Sequence, residues 1–136
     1  MVPDMPPAHR EPLAHVAAVA ARHAALELLL LFGSRARGRA REGSDWDFGY
    51  LSRPGLDVDQ LLADLVTVTR SDRVDLVDLG RAGGQLRLRA ARDGVPLFEG
   101  RPGAFGSFAY EAASFWCDVE PVLREAYERL LAEVAR

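Results

Sequence analysis

The sequence contains no lysine, and all 17 of its basic residues are arginine. Mechanisms that need a lysine, such as a Walker-type phosphate loop or a Schiff base, are therefore excluded. Its single cysteine, Cys117, rules out an internal disulfide and is typical of a reducing compartment. The longest strongly apolar stretch, Ala24–Phe32, is too short to cross a bilayer. The formal net charge of −3 argues against a general nucleic-acid-binding surface.

The first residues also lack the basic start and apolar run of a signal peptide, so we expect a cytoplasmic protein. With 136 residues, 49% hydrophobic and 27% charged, the chain fits one compact domain rather than a disordered protein. We expect a flexible lead-in over residues 1–9 and a core over residues 10–100. A helical tail over residues 101–136 is expected to pack on the core or on a partner.

Hydrophobic periodicity predicts a mixture of helices and strands. Helices are expected over residues 11–23, 34–41, 58–68 and 85–92, and strands over residues 26–32, 45–51, 73–79 and 95–98. The tail is expected to be helical from Phe108 onward, with an interruption at Pro121. This order indicates a mixed α/β (α+β) fold, with a small sheet flanked by helices.

Two acidic residues, Asp45 and Asp47, stand two positions apart on one predicted strand. Side chains at that spacing leave the same face of a strand. Two carboxylates held together repel each other unless a cation lies between them, and hard cations such as Mg²⁺ prefer oxygen ligands. An isolated pair of this kind is, however, more often the polar face of an edge strand.

Gly33 and Ser34 follow the apolar strand and open the next predicted helix. Free backbone N–H groups at such a position favour phosphate, and glycine permits its close approach. The simpler interpretation is an ordinary turn in which Ser34 caps the helix. On the strand over residues 73–79, Asp75 and Asp78 face opposite sides, and either could join the Asp45 and Asp47 pair.

Taken together, these residues resemble a known signature. GSRARG at residues 33–38, followed by SDWD at residues 44–47, is similar to the DNA polymerase β nucleotidyltransferase superfamily. The resemblance is strongest to the minimal nucleotidyltransferases (MNT) that are antitoxins to HEPN toxins. It continues in RVDLVDL at residues 73–79 and in GVPLFEG at residues 94–100.

The resemblance implies a polymerase β-like fold with a two-metal site and ATP as substrate. By that alignment the third acid is Asp75. The implied catalytic residues, which are also the ligands of two Mg²⁺ ions, are Asp45, Asp47 and Asp75. The implied nucleotide-binding residues are Gly33, Ser34 and Arg37. The resemblance assigns no role to the neighbouring arginines Arg35, Arg39 and Arg41.

The resemblance also implies a function. We expect an antitoxin that transfers AMP from ATP to a tyrosine hydroxyl of a cognate HEPN ribonuclease toxin, in a hetero-oligomer. No direct contact with nucleic acid or membrane is expected. Two alternatives remain at this point: an antitoxin that neutralises its toxin by binding alone, and a small-molecule nucleotidyltransferase. The presence of all three acids favours catalysis over binding alone.

Overall fold

The computed structural model describes the backbone of residues 7–38 and 43–135, with side chains from residue 13 onward. Its centre is a four-stranded sheet in the order β3-β2-β1-β4. The strands are β1 (Leu26–Phe32), β2 (Trp46–Ser52), β3 (Val74–Asp78) and β4 (Val95–Glu99). Strand β1 is antiparallel to both of its neighbours, whereas β2 and β3 are parallel.

Four helices cover the two faces of this sheet. They are α1 (Pro7–Ala20), α2 (Val58–Thr69), α3 (Gly84–Asp93) and α4 (Ala104–Val134). One core cluster joins α1 and α2 to one face, and a second joins α3 and the start of α4 to the other. The mixed α/β fold expected from the sequence is confirmed. Within the described residues, no helix is long and apolar enough to span a membrane.

Strand β1 explains how the two clusters share one sheet. Its side chains alternate between them: Leu29 and Leu31 enter the first cluster, and Leu28 and Leu30 enter the second. All four of these leucines are fully buried. Because both faces of β1 are covered, its sequence is a nearly continuous apolar run instead of an alternating one. This central strand is the element that the sequence predicts with the correct bounds.

The predicted bounds of the first helix are wrong. Helix α1 begins at Pro7 and ends at Ala20, not over residues 11–23, and residues 7–9 are helical rather than part of a lead-in. Pro7 occupies the first position of α1. Proline suits this position because a backbone N–H there would have no acceptor within the helix. The remainder of the predicted lead-in, residues 1–6, lies outside the described residues.

The helix predicted over residues 34–41 is not formed in its described part. Residues 33–38 form turns, with Arg37 N–H donating to the carbonyl of Gly33 at 3.3 Å. Gly38 has a φ of +69°, a left-handed conformation that ends this helix-like turn at once. Arg39 and Arg41 lie outside the described residues.

The C-terminal helix α4 runs without a break through Pro121, so the predicted interruption is wrong. A proline removes only one backbone hydrogen bond, and in this exposed part of α4 solvent can satisfy the carbonyl that loses its partner. The first half of α4 is anchored by Ala104, Phe108 and Ala112, which are buried. Residues 121–135 are exposed throughout. The large apolar side chains among them are Val122, Leu123, Tyr127, Leu130, Leu131 and Val134.

Candidate active site

A cavity of about 750 Å³ lies where the end of β1 meets the beginnings of β2 and β3. Because β1 is antiparallel to β2 and β2 is parallel to β3, these strand ends lie at one edge of the sheet. The volume falls within the range of about 300–1,000 Å³ that is typical of small-molecule sites. All six residues that the sequence motif singles out line it: Gly33, Ser34, Arg37, Asp45, Asp47 and Asp75.

The strand register decides between the two acids of β3. Asp47 on β2 is the direct partner of Asp75 on β3, and both line the cavity. Asp78 is instead the partner of Tyr50, and its side chain accepts a hydrogen bond of 2.9 Å from the backbone N–H of Gly80. The structure therefore brings Asp75, and not Asp78, to the Asp45 and Asp47 pair.

Asp45 differs from the prediction in its local structure. Strand β2 begins at Trp46, so Asp45 lies in the irregular segment just before the strand. Its side chain nevertheless lines the same cavity as Asp47. It follows that no regular strand pairing holds the main chain of Asp45, in contrast to that of Asp47.

The electrostatics of the cluster are those of crowded negative charge. Burial raises the pKa of the half-buried Asp47, and the nearby charges of Asp75 and Asp45 raise it further. The charge of Arg37 acts in the opposite direction and lowers the pKa of Asp47. Asp47 therefore interacts with both of the other carboxylates, and a cation placed among them would relieve this repulsion.

The fit of the cavity to a metal ion depends on its donor atoms and their spacing. Across residues 7–38 and 43–135, no three His, Cys, Asp or Glu side chains stand close enough to hold one ion as they are placed. The acidic donors that line the cavity are nevertheless carboxylate oxygens, the kind of ligand that Mg²⁺ prefers. The residues present thus fit a magnesium site.

Gly33 packs directly against the acidic cluster. Its φ is +78°, and a Cβ at this position would overlap Oδ2 of Asp47 and lie 3.1 Å from Cγ of the same residue. Only glycine fits here without a shift of the acid. The turn that carries Ser34 and Arg37 thus lies directly beside the carboxylate of Asp47.

Eight residues line the cavity besides these six, and four of them carry charge or belong to α3: Arg73, Leu86, Arg89 and Asp93. Arg73 lies two positions before Asp75 and could have been found from the strand alternation, because it shares the face of Asp75. The other three belong to α3, and only the tertiary path of the chain from β3 through α3 brings them to this edge. Arg73 and Arg89 add positive charge to the lining of the cavity, which suits a phosphate-bearing ligand.

Comparison with known proteins gives the same fold and family. The family described as "Polymerase beta, Nucleotidyltransferase" matches residues 15–102. The protein adenylyltransferase MntA of Aphanizomenon flos-aquae (strain 2012/KM1/D3) is 31% identical over 96 residues. This match covers 61% of this chain and 63% of the relative. The chain therefore matches less than two thirds of the length of this curated relative.

Two solved structures share the fold. A chain from a crystal structure of a toxin–antitoxin with AMP-PNP has a TM-score of 0.73 at 24% identity, covering 88% of this chain and 98% of that one. A chain from a complex of a tri-AMPylated Shewanella oneidensis HEPN toxin with its MNT antitoxin has a TM-score of 0.68 at 21% identity, covering 90% and 98%. Since the family match extends over well more than half of the sequence and includes every acid of the cavity, the chain belongs to the polymerase beta nucleotidyltransferase family.

Proposed function

We propose that this protein is an antitoxin nucleotidyltransferase that transfers AMP from ATP to a tyrosine hydroxyl of a cognate HEPN ribonuclease toxin. The observation that carries the proposal is the single cavity into which Asp45, Asp47 and Asp75 project beside the Gly33–Ser34 turn. The similarity to an adenylyltransferase, and to chains solved with AMP-PNP and with an AMPylated HEPN toxin, supports this substrate and partner. A cytoplasmic location is part of the proposal, since ATP is available there.

The chain's own residues divide the work of binding the nucleotide. In the proposal, Gly33 and Ser34 bind the β- and γ-phosphates through backbone N–H groups and the Ser34 hydroxyl. Arg37, whose charge already acts on Asp47, interacts with the leaving pyrophosphate through its fork of donors. Binding at these groups orients the α-phosphate toward the carboxylates.

Asp45 and Asp47 would hold two Mg²⁺ ions, and Asp75 would hold one of them. When bound, Mg²⁺ neutralises the charge that develops on the attacking and leaving oxygens. Strand β2, which carries Asp47, pairs with β1 on one side and with β3 on the other, and Asp75 lies on β3. We assign it the position next to the acceptor hydroxyl, whose proton it accepts as the oxygen attacks the α-phosphate and the bond to pyrophosphate breaks.

The tail completes the proposed assembly. The first half of α4 packs on the core through Phe108 and its neighbours, whereas residues 121–135 of the second half are exposed. We propose that this exposed second half, with its apolar side chains, packs on the toxin in a hetero-oligomer. In this arrangement the toxin presents its own tyrosine to the cavity.

The decisive experiment is intact-mass spectrometry of the HEPN toxin after incubation with this protein, ATP and Mg²⁺. We expect the mass to increase by one or more AMP groups with the wild type and not with Asp47→Asn. Asp78→Asn, which removes an equal charge from outside the cavity, is the matched control and should retain transfer. No mass increase with a toxin that is still neutralised would favour an antitoxin that acts by binding alone. AMP transfer to a small molecule in place of the toxin would favour the other alternative.

A further inference from the structure

The segment Gly43–Asp45 carries one of the three acids without the support of a strand. Regular pairing of β2 with β3 begins at Trp46, whose partner is Val74. On the other side, the last pair of β2 with β1 joins Asp47 to Phe32. The position of the Asp45 carboxylate must therefore be set by other contacts.

Arg35 makes the first of these contacts. Its Nε and Nη2 both donate to the carbonyl oxygen of Ser44, at 3.2 Å and 2.8 Å. The guanidinium carbon lies 4.0 Å from the centre of the Trp46 ring, in cation–π contact. One planar group thus binds the residue before Asp45 and stacks on the residue after it.

The surface on which Arg35 rests is itself rigid. Trp46 is only 5% exposed and stacks on the fully buried Phe48, with ring centres 5.9 Å apart and ring planes within 6°. Through these two aromatic rings the guanidinium is fixed to the core cluster below the sheet. Arg35 is not among the residues that line the cavity, so it acts from behind the acids.

Arg73 makes a second contact with the same segment. Its Nη1 donates to the carbonyl of Gly43 at 3.0 Å, and its own carbonyl accepts a 2.8 Å hydrogen bond from Trp46 N–H. Since Arg73 immediately precedes β3, this contact also ties the segment to the strand that carries Asp75. Two arginines from different parts of the chain therefore hold the carbonyls of two consecutive peptide groups, Gly43–Ser44 and Ser44–Asp45.

The electrostatics agree with a close approach of Arg35 to Asp45. Burial lowers the pKa of the Arg35 guanidinium, and the negative charge of Asp45 raises it in part. The side chain remains a cation because the ordinary pKa of arginine is far above neutrality.

We propose that Arg35 is a positioning residue: its fork on the Ser44 carbonyl and its stacking on Trp46 place the Asp45 carboxylate for divalent-cation binding. This inference rests on the proposed function, because it assumes that the three acids bind metal. It gives a role to the first arginine of the GSRARG sequence, distinct from that of Arg37 in the cavity.

The direction in which removal of Arg35 changes metal binding distinguishes a positioning role from a purely electrostatic one. Arg35 is a cation next to a proposed cation site, so by Coulomb's law alone its removal would strengthen metal binding. If Arg35 positions Asp45, its removal weakens metal binding instead. Lysine at the same position keeps the charge but cannot form the planar fork, so it is expected to weaken binding as well.

The test is calorimetric titration of the full chain with Mn²⁺, without ATP or toxin. We expect Arg35→Ala and Arg35→Lys each to weaken Mn²⁺ binding at least about ten-fold, a difference of about 1.4 kcal/mol. The matched control is Arg53→Lys, because Arg53 also donates to a backbone carbonyl, that of Ala24, away from the cavity. Circular dichroism and thermal unfolding would establish that each variant is folded. If Arg35→Ala does not fold, Arg35→Lys alone provides the test.

A second measurement follows AMP transfer at increasing Mn²⁺ concentration. Activity of Arg35→Lys should recover as Mn²⁺ is raised, which a defect in folding alone would not allow. Mn²⁺ binding that is unchanged or tighter in both Arg35 variants would overturn the positioning role and leave the proposed function intact. A wild-type protein that does not bind Mn²⁺ would overturn both.

Discussion

Asp47 and Asp75 are direct partners on adjacent parallel strands, and this register brings together acids that lie 28 positions apart in the chain. A shift of one residue would replace Asp75 with an apolar neighbour and leave the cavity without its third carboxylate. The strand pairing, more than the spacing of the motif, therefore creates the acidic cluster.

The first prediction compares the two acids of β3. Asp75→Asn should abolish AMP transfer, because it removes a carboxylate from the cavity. Asp78→Asn should leave transfer largely intact, since Asp78 lies near Tyr50 and bonds to Gly80. Initial rates of toxin modification, measured by mass spectrometry, provide the comparison. Inactivity of Asp78→Asn together with activity of Asp75→Asn would show that the register is wrong.

The second prediction concerns stability in the absence of metal. The pKa of Asp47 is raised by burial and by the charges of Asp75 and Asp45. When the pKa of a carboxyl group is raised in the folded state, the folded protein becomes less stable as the pH rises from the ordinary pKa of that group through the raised one. At pH 7 with a chelator present, Asp47→Asn should therefore melt a few degrees higher than the wild type, although it is inactive. A melting temperature of Asp47→Asn that is equal to or lower than that of the wild type would contradict the repulsion among these carboxylates.

A third prediction uses two glycines of the same turn. Gly33 and Gly38 both have positive φ, +78° and +69°, so alanine at either position incurs a backbone cost of about 1–2 kcal/mol. A Cβ at Gly33 also meets Asp47, whereas a Cβ at Gly38 meets nothing within 4 Å. Gly33→Ala should therefore lose more stability than Gly38→Ala and should also impair AMP transfer. Equal effects of the two substitutions on unfolding by urea would argue against the close packing of Gly33 on the acid.

The fourth prediction is a loss of stability in acid. His23 Nε2 lies 2.8 Å from Asp64 Oδ2, and Gln60 donates to the other oxygen at 2.9 Å. Burial raises the pKa of Asp64, but these hydrogen bonds and the charges of His23 and Arg22 outweigh it, so the pKa lies below its usual value. The resulting stability is present above the ordinary aspartate pKa and is lost as the pH falls through the lowered one.

Asp64→Asn should consequently destabilise the protein by about 1 kcal/mol at neutral pH, and the difference should vanish in strong acid. Asp118→Asn on the exposed surface of α4 removes the same charge and serves as the control. Urea unfolding over a range of pH would measure both. A difference between Asp64→Asn and the wild type that persists unchanged in strong acid would contradict this assignment.

The fifth prediction concerns the two halves of α4. Phe108 is 2% exposed within the second core cluster, so Phe108→Ala should cost about 3–5 kcal/mol. Leu130 is 56% exposed, and Leu130→Ala should change stability by less than about 0.5 kcal/mol. Chemical unfolding of the two variants without toxin measures the contrast. A large loss in Leu130→Ala would mean that the outer half of α4 is covered in the free protein.

Much of the fold follows from local sequence signals. The apolar run of β1 and the periodicity of α2 give these elements almost their full extent, because burial on a sheet or on one helix face requires those patterns. Asp45, Asp47 and the Gly33–Ser34 turn are likewise visible from spacing. The resemblance to a family then selects Asp75, which the alternation of β3 left undecided.

The remaining features depend on long-range structure. The sequence after Gly33 predicts a helix, yet the left-handed conformation of Gly38 ends it. Because glycine adopts left- and right-handed conformations about equally readily, the sequence does not predict which one occurs. Proline at position 121 predicts a break, but the exposed backbone of α4 tolerates it. The contact of Arg35 with Ser44 spans a segment that no periodicity describes, so only the folded chain reveals it.

The packing of Gly33 on Asp47 has a consequence for how this protein can vary. A hydrogen is the only substituent that fits between the phosphate-binding turn and the acid of β2. A larger residue at position 33 requires the side chain of Asp47 to move away, and a displaced Asp47 no longer lies beside the other two acids. Asp47 therefore depends on Gly33 for its position, whereas Gly33 is favoured by its left-handed φ of +78° even without the acid.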